Sequence, residues 1–101
     1  MNCIIKRPFD PIGRIKEIPN TLERLQTIVD GYIETVTVRN GLVIICNEEG
    51  KLTGMAPNFR IGFEQIVGTV IVVGVDGEEF TDVPIDLGEW EEMLVEWGNT
   101  L

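Results

Sequence analysis

Two β-branched runs, YIETVTV at 32–38 and LVIIC at 42–46, flank Arg39-Asn40-Gly41, and this arrangement constrains the fold more than any other feature of the chain. Asn-Gly is the preferred centre of a two-residue type I′ turn, whose twist matches that of two antiparallel strands. A turn of that kind sets Val38 opposite Val43 and Val36 opposite Ile45 as a packed apolar face, with Thr35 and Thr37 pointing the other way. Such a hairpin commits the chain to an antiparallel sheet and demands a cover for its apolar side.

The remaining segments supply strands and cover. Leu22, Leu25, Ile28 and Val29 repeat at helical spacing after Pro19; Asn20 is the expected N-cap, Glu23 stands three residues on, and Gly31 is the left-handed stop. Leu87, Trp90, Leu94 and Trp97 form a second helical stripe, opened by Asp86 with Glu89 at the third position and closed by Gly98. EQIVGTVIVVGV (64–75) reads as one long strand buried on both faces, turned by Asp76-Gly77 into a short edge strand at 80–83. Cys3-Ile4-Ile5 and 12–18 read as short strands that Pro8 and Pro11 confine to edges or ends, and 59–63 as a linker. These elements predict one α+β domain, 1–101. Its core is a single mostly antiparallel sheet, of about four to six strands, covered on one face by two α-helices.

What the composition lacks bears on function. There is no histidine and no serine, so the usual near-neutral general base is missing and Ser-His-Asp or Cys-His catalysis is excluded. Two cysteines without a histidine cannot complete a four-ligand zinc site, and they are too few for a disulfide framework. MNCIIKRP has no sustained apolar leader, and the longest uncharged apolar run, 66–75, is about half a membrane span. The expectation is a cytoplasmic, non-catalytic protein with no cofactor, no metal and no membrane segment. Catalysis would have to rest on carboxylates, Lys51, threonine or an unassisted thiol.

Charge is split along the chain. Residues 1–60 hold eight basic and seven acidic side chains, and 61–101 hold ten acidic and none basic, which gives the net −9. Acidity of this kind keeps a small protein soluble, or it forms a face that repels nucleic acid and attracts a basic protein. Glu89, Glu92 and Glu96 run down one side of the second helix as such a surface. Direct nucleic-acid binding is not expected, since that needs clustered Lys and Arg.

The stretch CNEEGKLTGMAPN (46–58) breaks off the second hairpin strand. As a plain reverse turn, Asn47 supports the bend, a glycine takes positive φ, and the charges face water. As a site, Gly50 and Gly54 would let a backbone approach a ligand, and Asn47 and Asn58 would offer paired donors and acceptors. Lys51 and Arg60 would neutralise a phosphate, Met55 and Phe59 would give an apolar wall, and Glu48 or Glu49 would hold a ribose hydroxyl or Mg²⁺.

LERLQTIVDGYIETV, CNEEGKLTGMAPN and IVGTVIVVGVDGEEF, in this order, resemble the domain of unknown function 3846 family over roughly 20–80. The resemblance draws attention to Asn47, Glu48, Gly50, Lys51, Gly54, Pro57 and Asn58. It implies an accessory protein of phages and mobile elements acting against the host. Three functions follow as expectations. The first is sequestration of a small nucleotide immune signal by a homo-oligomer, through Asn47, Glu48, Gly50, Lys51, Gly54, Met55, Asn58 and Arg60. The second is an acidic nucleic-acid mimic that blocks a basic host protein through Glu89, Glu92 and Glu96. The third is a carboxylate and Mg²⁺ nucleotide-processing enzyme built on Glu48 or Glu49.

Overall fold

The computed structural model describes residues 1–101. In chain order it contains β1 (Asn2–Lys6), β2 (Arg14–Glu17), α1 (Leu22–Val29), β3 (Ile33–Arg39), β4 (Leu42–Asn47), β5 (Pro57–Ile61), β6 (Glu64–Val67), β7 (Val70–Asp76), β8 (Glu79–Thr81) and α2 (Leu87–Glu96). The main sheet runs β2-β1-β7-β4-β3 with β8 paired to the end of β7, and β5-β6 is a separate hairpin. All pairings are antiparallel. The α+β class, with one antiparallel sheet and two helices, is therefore as the sequence predicts.

A strand segment buried on both faces must be apolar throughout, and Leu42–Cys46 of β4 and Val70–Val73 of β7 are. Val70 and Val72 of β7, with Leu42, Ile44 and Cys46 of β4, pack against Trp90 and Leu94 of α2 and Phe59 and Ile66 of the β5-β6 hairpin. Ile71, Val73, Val43 and Ile45 project the other way onto Leu25 and Val29 of α1. The two helices thus lie on opposite faces, where the sequence suggested a shared one. The hydrophobic pattern contains the reason, because period-two alternation gives a wholly apolar strand two faces to cover.

Several local expectations are corrected. Gly41 takes φ 82° but Asn40 stays outside the positive region, so no type I′ turn forms. Arg39 pairs with Leu42 and Thr37 with Val43, leaving Val38 as a bulge and moving Val36 opposite Ile44. That shift keeps Val36 and Val38 both against the α2 side of the core. The N-cap of α1 is Thr21, whose hydroxyl accepts from Arg24 N, while Asn20 donates to Phe80 O; the left-handed stop is Asp30 at φ 63°, one residue before Gly31. The long strand at 64–75 is broken by Gly68 at φ 73° into β6 and β7, and the supposed linker is β5. Finally, β1 lies inside the sheet between β2 and β7, because its prolines sit beyond its end. The Asp86 cap, Gly98 stop and apolar stripe of α2 are as expected.

Candidate functional site

The connection from β4 to β5 is a tight coil held by its own backbone. Gly50 N donates to Asn47 O (3.3 Å), Thr53 N to Glu49 O (3.0 Å) and Met55 N to Gly50 O (2.9 Å). These three amides are committed to carbonyls of the same segment. Gly50 lacks a side chain for a packing reason, since a Cβ there would lie 2.9 Å from Val67 Cγ2 and 3.4 Å from Met55 Sδ. Gly54, at φ 73°, is the turn glycine and has open space around it.

Both asparagines are spent on the scaffold. Asn47 is 8 % exposed. Its Nδ2 donates to the carbonyls of Val29 (3.1 Å) and Asp30 (3.0 Å), which the end of α1 leaves without helical partners, and its Oδ1 accepts from Glu49 N (2.7 Å). Asn58 donates to Lys6 O (2.8 Å) and Gly68 O (2.7 Å) and accepts from Lys6 Nζ (2.7 Å). An amide side chain has two N–H donors, and in each case both are used within the chain.

Lys6 is the residue that sequence reasoning passed over. It is only 3 % exposed, and its ammonium lies 5.8 Å from the centroid of the Phe59 ring. Burial pulls its pKa below the ordinary lysine value, with the nearby Asp10 carboxylate opposing the shift. The signal was present, because Lys6 is two residues beyond buried Ile4 and alternation places both on one face.

Around the coil are two hollows. A cleft of about 120 Å³ is bordered by Glu34, Cys46, Glu48, Lys51, Glu64 and Gln65. Lys51 Nζ is committed to Glu64 Oε1 at 2.8 Å, and the remaining carboxylates leave the cleft acidic. Burial, reinforced by Glu34, pushes the Cys46 thiol up to about 11, so it stays protonated and unreactive near neutrality. Glu49 and Met55 line the second hollow instead, with Asp30 and Tyr32. Glu48 and Glu49 therefore do not converge, and no three Asp, Glu, Cys or His side chains group as a metal-binding set. Arg60 lies apart from the cleft. Its backbone N and O pair with the Asn99 amide at the end of α2, both at 2.8 Å.

Of the predicted acidic surface, Glu89, Glu92 and Glu96 are all exposed on α2. Trp90 and Leu94, fully buried on the opposite side of the helix, fix that orientation. Trp90 stacks edge-on with Phe59 and Trp97 at 5.5 and 5.7 Å and donates its Nε1–H to Ile12 O at 2.8 Å.

A family model described as domain of unknown function (DUF3846) matches residues 1–95. The chain belongs to that family. The match runs from β1 through nearly all of α2, so the DUF3846 domain comprises the whole sheet, the β5-β6 hairpin and the acidic helix together. No curated protein and no solved structure matches the chain. No helix is long and apolar enough to cross a membrane.

Proposed function

We propose that the chain is a non-catalytic counter-defence protein that works as an acidic decoy for a basic, nucleic-acid-binding host protein. The observation carrying this is that all ten acids of 61–101 are exposed and only Glu64 is in an ion pair. Glu89, Glu91, Glu92 and Glu96 stand within eight residues of α2, a rise of about 10 Å at ~1.5 Å per residue. That averages one charge per about 3.5 Å of axis, close to the ~3.4 Å of axis per phosphate on one DNA strand, with Glu91 turned about 100° away from the Glu89-Glu92-Glu96 row. A basic groove that reads a phosphate row meets similar charge density here, on a helix whose far side is locked into the core.

The test is affinity capture from bacterial host lysate, using the chain and its Glu89→Lys/Glu92→Lys/Glu96→Lys variant. The expected partner is basic, is released by double-stranded DNA and by added salt, and is lost with the variant. Retention indifferent to DNA and to charge reversal refutes the decoy.

Nucleotide sequestration draws less support. Its cleft of about 120 Å³ is below the ~300–1,000 Å³ of ordinary ligand sites, and its one cation is already paired. A thermal-shift panel of cyclic and ADP-ribose-type nucleotides is expected to leave Tm unmoved. A rise at ligand excess transfers the function to the coil or to a composite pocket between chains, whose number native mass spectrometry would count.

A further inference from the structure

The second hollow has a chemistry of its own. It occupies about 320 Å³ between the turn after α1 and the coil after β4, lined by Asp30, Gly31, Tyr32, Asn47, Glu49, Thr53 and Met55. Its floor is built to stay bare. Gly31 takes φ 155°, and a Cβ there would lie 2.6 Å from Asn47 Nδ2, so a side chain at this position collides with the buried amide. Asp30 is fixed in the left-handed conformation as the cap of α1, and Asn47 pins its carbonyl. The walls are therefore held by the helix end on one side and by the Asn47 to Glu49 bond on the other.

The lining is suited to one class of guest. Tyr32 is 69 % exposed, an aromatic ring left in water at the mouth of a hollow. Neither Asp30 nor Glu49 forms an ion pair within the chain, and no Lys or Arg lines the space. Asn47, buried at the base, is fully engaged within the chain and serves to hold the Asp30 and Glu49 backbone on either side of the space. An aromatic face and two uncompensated carboxylates together match a flat cation with several N–H donors. Anions are disfavoured by the same charges.

We propose that this hollow is a binding site for a guanidinium group, stacked on Tyr32 and hydrogen-bonded between Asp30 and Glu49. It lies apart from the acidic face of α2, and it stands whether or not the decoy proposal does. A free guanidinium compound and an arginine side chain share the required chemistry.

Tyr32 is the only tyrosine, so its ring signals report directly in an NMR titration of the whole chain. The probes are ethylguanidinium, a capped Gly-Gly-Arg-Gly-Gly peptide, and the same peptide with neutral citrulline. Saturable movement of the Tyr32 signals with both guanidinium probes, and none with citrulline, is expected. Affinity for the peptide well above that for ethylguanidinium identifies a protein side chain as the source, and equal affinity a free compound. Asp30→Asn/Glu49→Gln keeps the shape and the left-handed residue but removes the charge, and should weaken binding about two- to tenfold. Glu89→Lys/Glu92→Lys/Glu96→Lys should leave it unchanged. Immobile Tyr32 signals, equal response to citrulline, or an unaltered response in the neutral variant overturns the site.

Discussion

Replacing Asn58 by alanine should cost stability rather than ligand affinity, and the size of that cost follows from its bonds. The substitution deletes two donations to backbone carbonyls, Lys6 O at 2.8 Å and Gly68 O at 2.7 Å, and one acceptance from the Lys6 ammonium at 2.7 Å. Neutral bonds contribute about 1 kcal/mol each and a bond to a charged group about 1.5–3, so the loss should be about 3–5 kcal/mol. That is a large part of the ~5–15 kcal/mol available to a domain of this size. In urea, with a slope of ~1–3 kcal/mol/M, the midpoint should fall by roughly 2 M. The charged share can be isolated. Lys6→Met/Asn58→Ala removes the ammonium together with its acceptor and should recover about 1.5–3 kcal/mol relative to Asn58→Ala alone. An Asn58→Ala loss under about 1 kcal/mol, or a double variant no more stable than the single, refutes the buried Lys6–Asn58 pairing.

Three further outcomes are expected. Because burial lowers the Lys6 pKa in the folded state, the unfolded chain binds its proton more readily, and stability should rise with pH as the titration passes from that lowered value toward 10.5. Urea midpoints at several alkaline pH values, taken as the difference between the chain and Lys6→Met, isolate this effect, and a flat difference contradicts it. Cys3 and Cys46 are both buried and both have raised pKa values, so a thiol reagent at pH 8 should label neither in the native state and both in denaturant. Trp90→Ala empties the centre of the Phe59–Trp97 cluster and orphans Ile12 O, and should cost about 3–5 kcal/mol with collapse of the near-ultraviolet circular dichroism.

What could be read from the residues alone was the local and the periodic. Asp86, Gly98 and the Leu87-Trp90-Leu94-Trp97 stripe act within one helix, and they were legible because capping and 3.6-residue spacing are properties of neighbours in sequence. The hairpin was legible as an element, but its register was not. Turn preference favours a tight Asn-Gly link, and the core instead selects a bulge at Val38 that turns two valines inward. The β5 strand was hidden because Pro57-Asn58 reads as punctuation. Proline tolerates the first position of a strand, and Asn58 is there to serve Lys6, fifty-two residues away. The candidate site shows the same division. Composition marked 46–58 as unusual, but the partners that consume its amides, Val29, Asp30, Lys6 and Gly68, are distant in the chain or on other elements.

Internal commitment of the two asparagine amides makes the coil a scaffold, and the proposals for the charged surface and the Tyr32 hollow follow from it. Hydrogen exchange of the Asn47 and Asn58 Nδ2 protons, followed by ¹⁵N NMR with and without a mixture of cyclic and ADP-ribose-type nucleotides, tests this directly. All four protons should exchange slowly and stay in place when nucleotide is added. Exchange at the rate of a free asparagine amide, or movement of these signals with nucleotide, would show that the amides face outward to a guest.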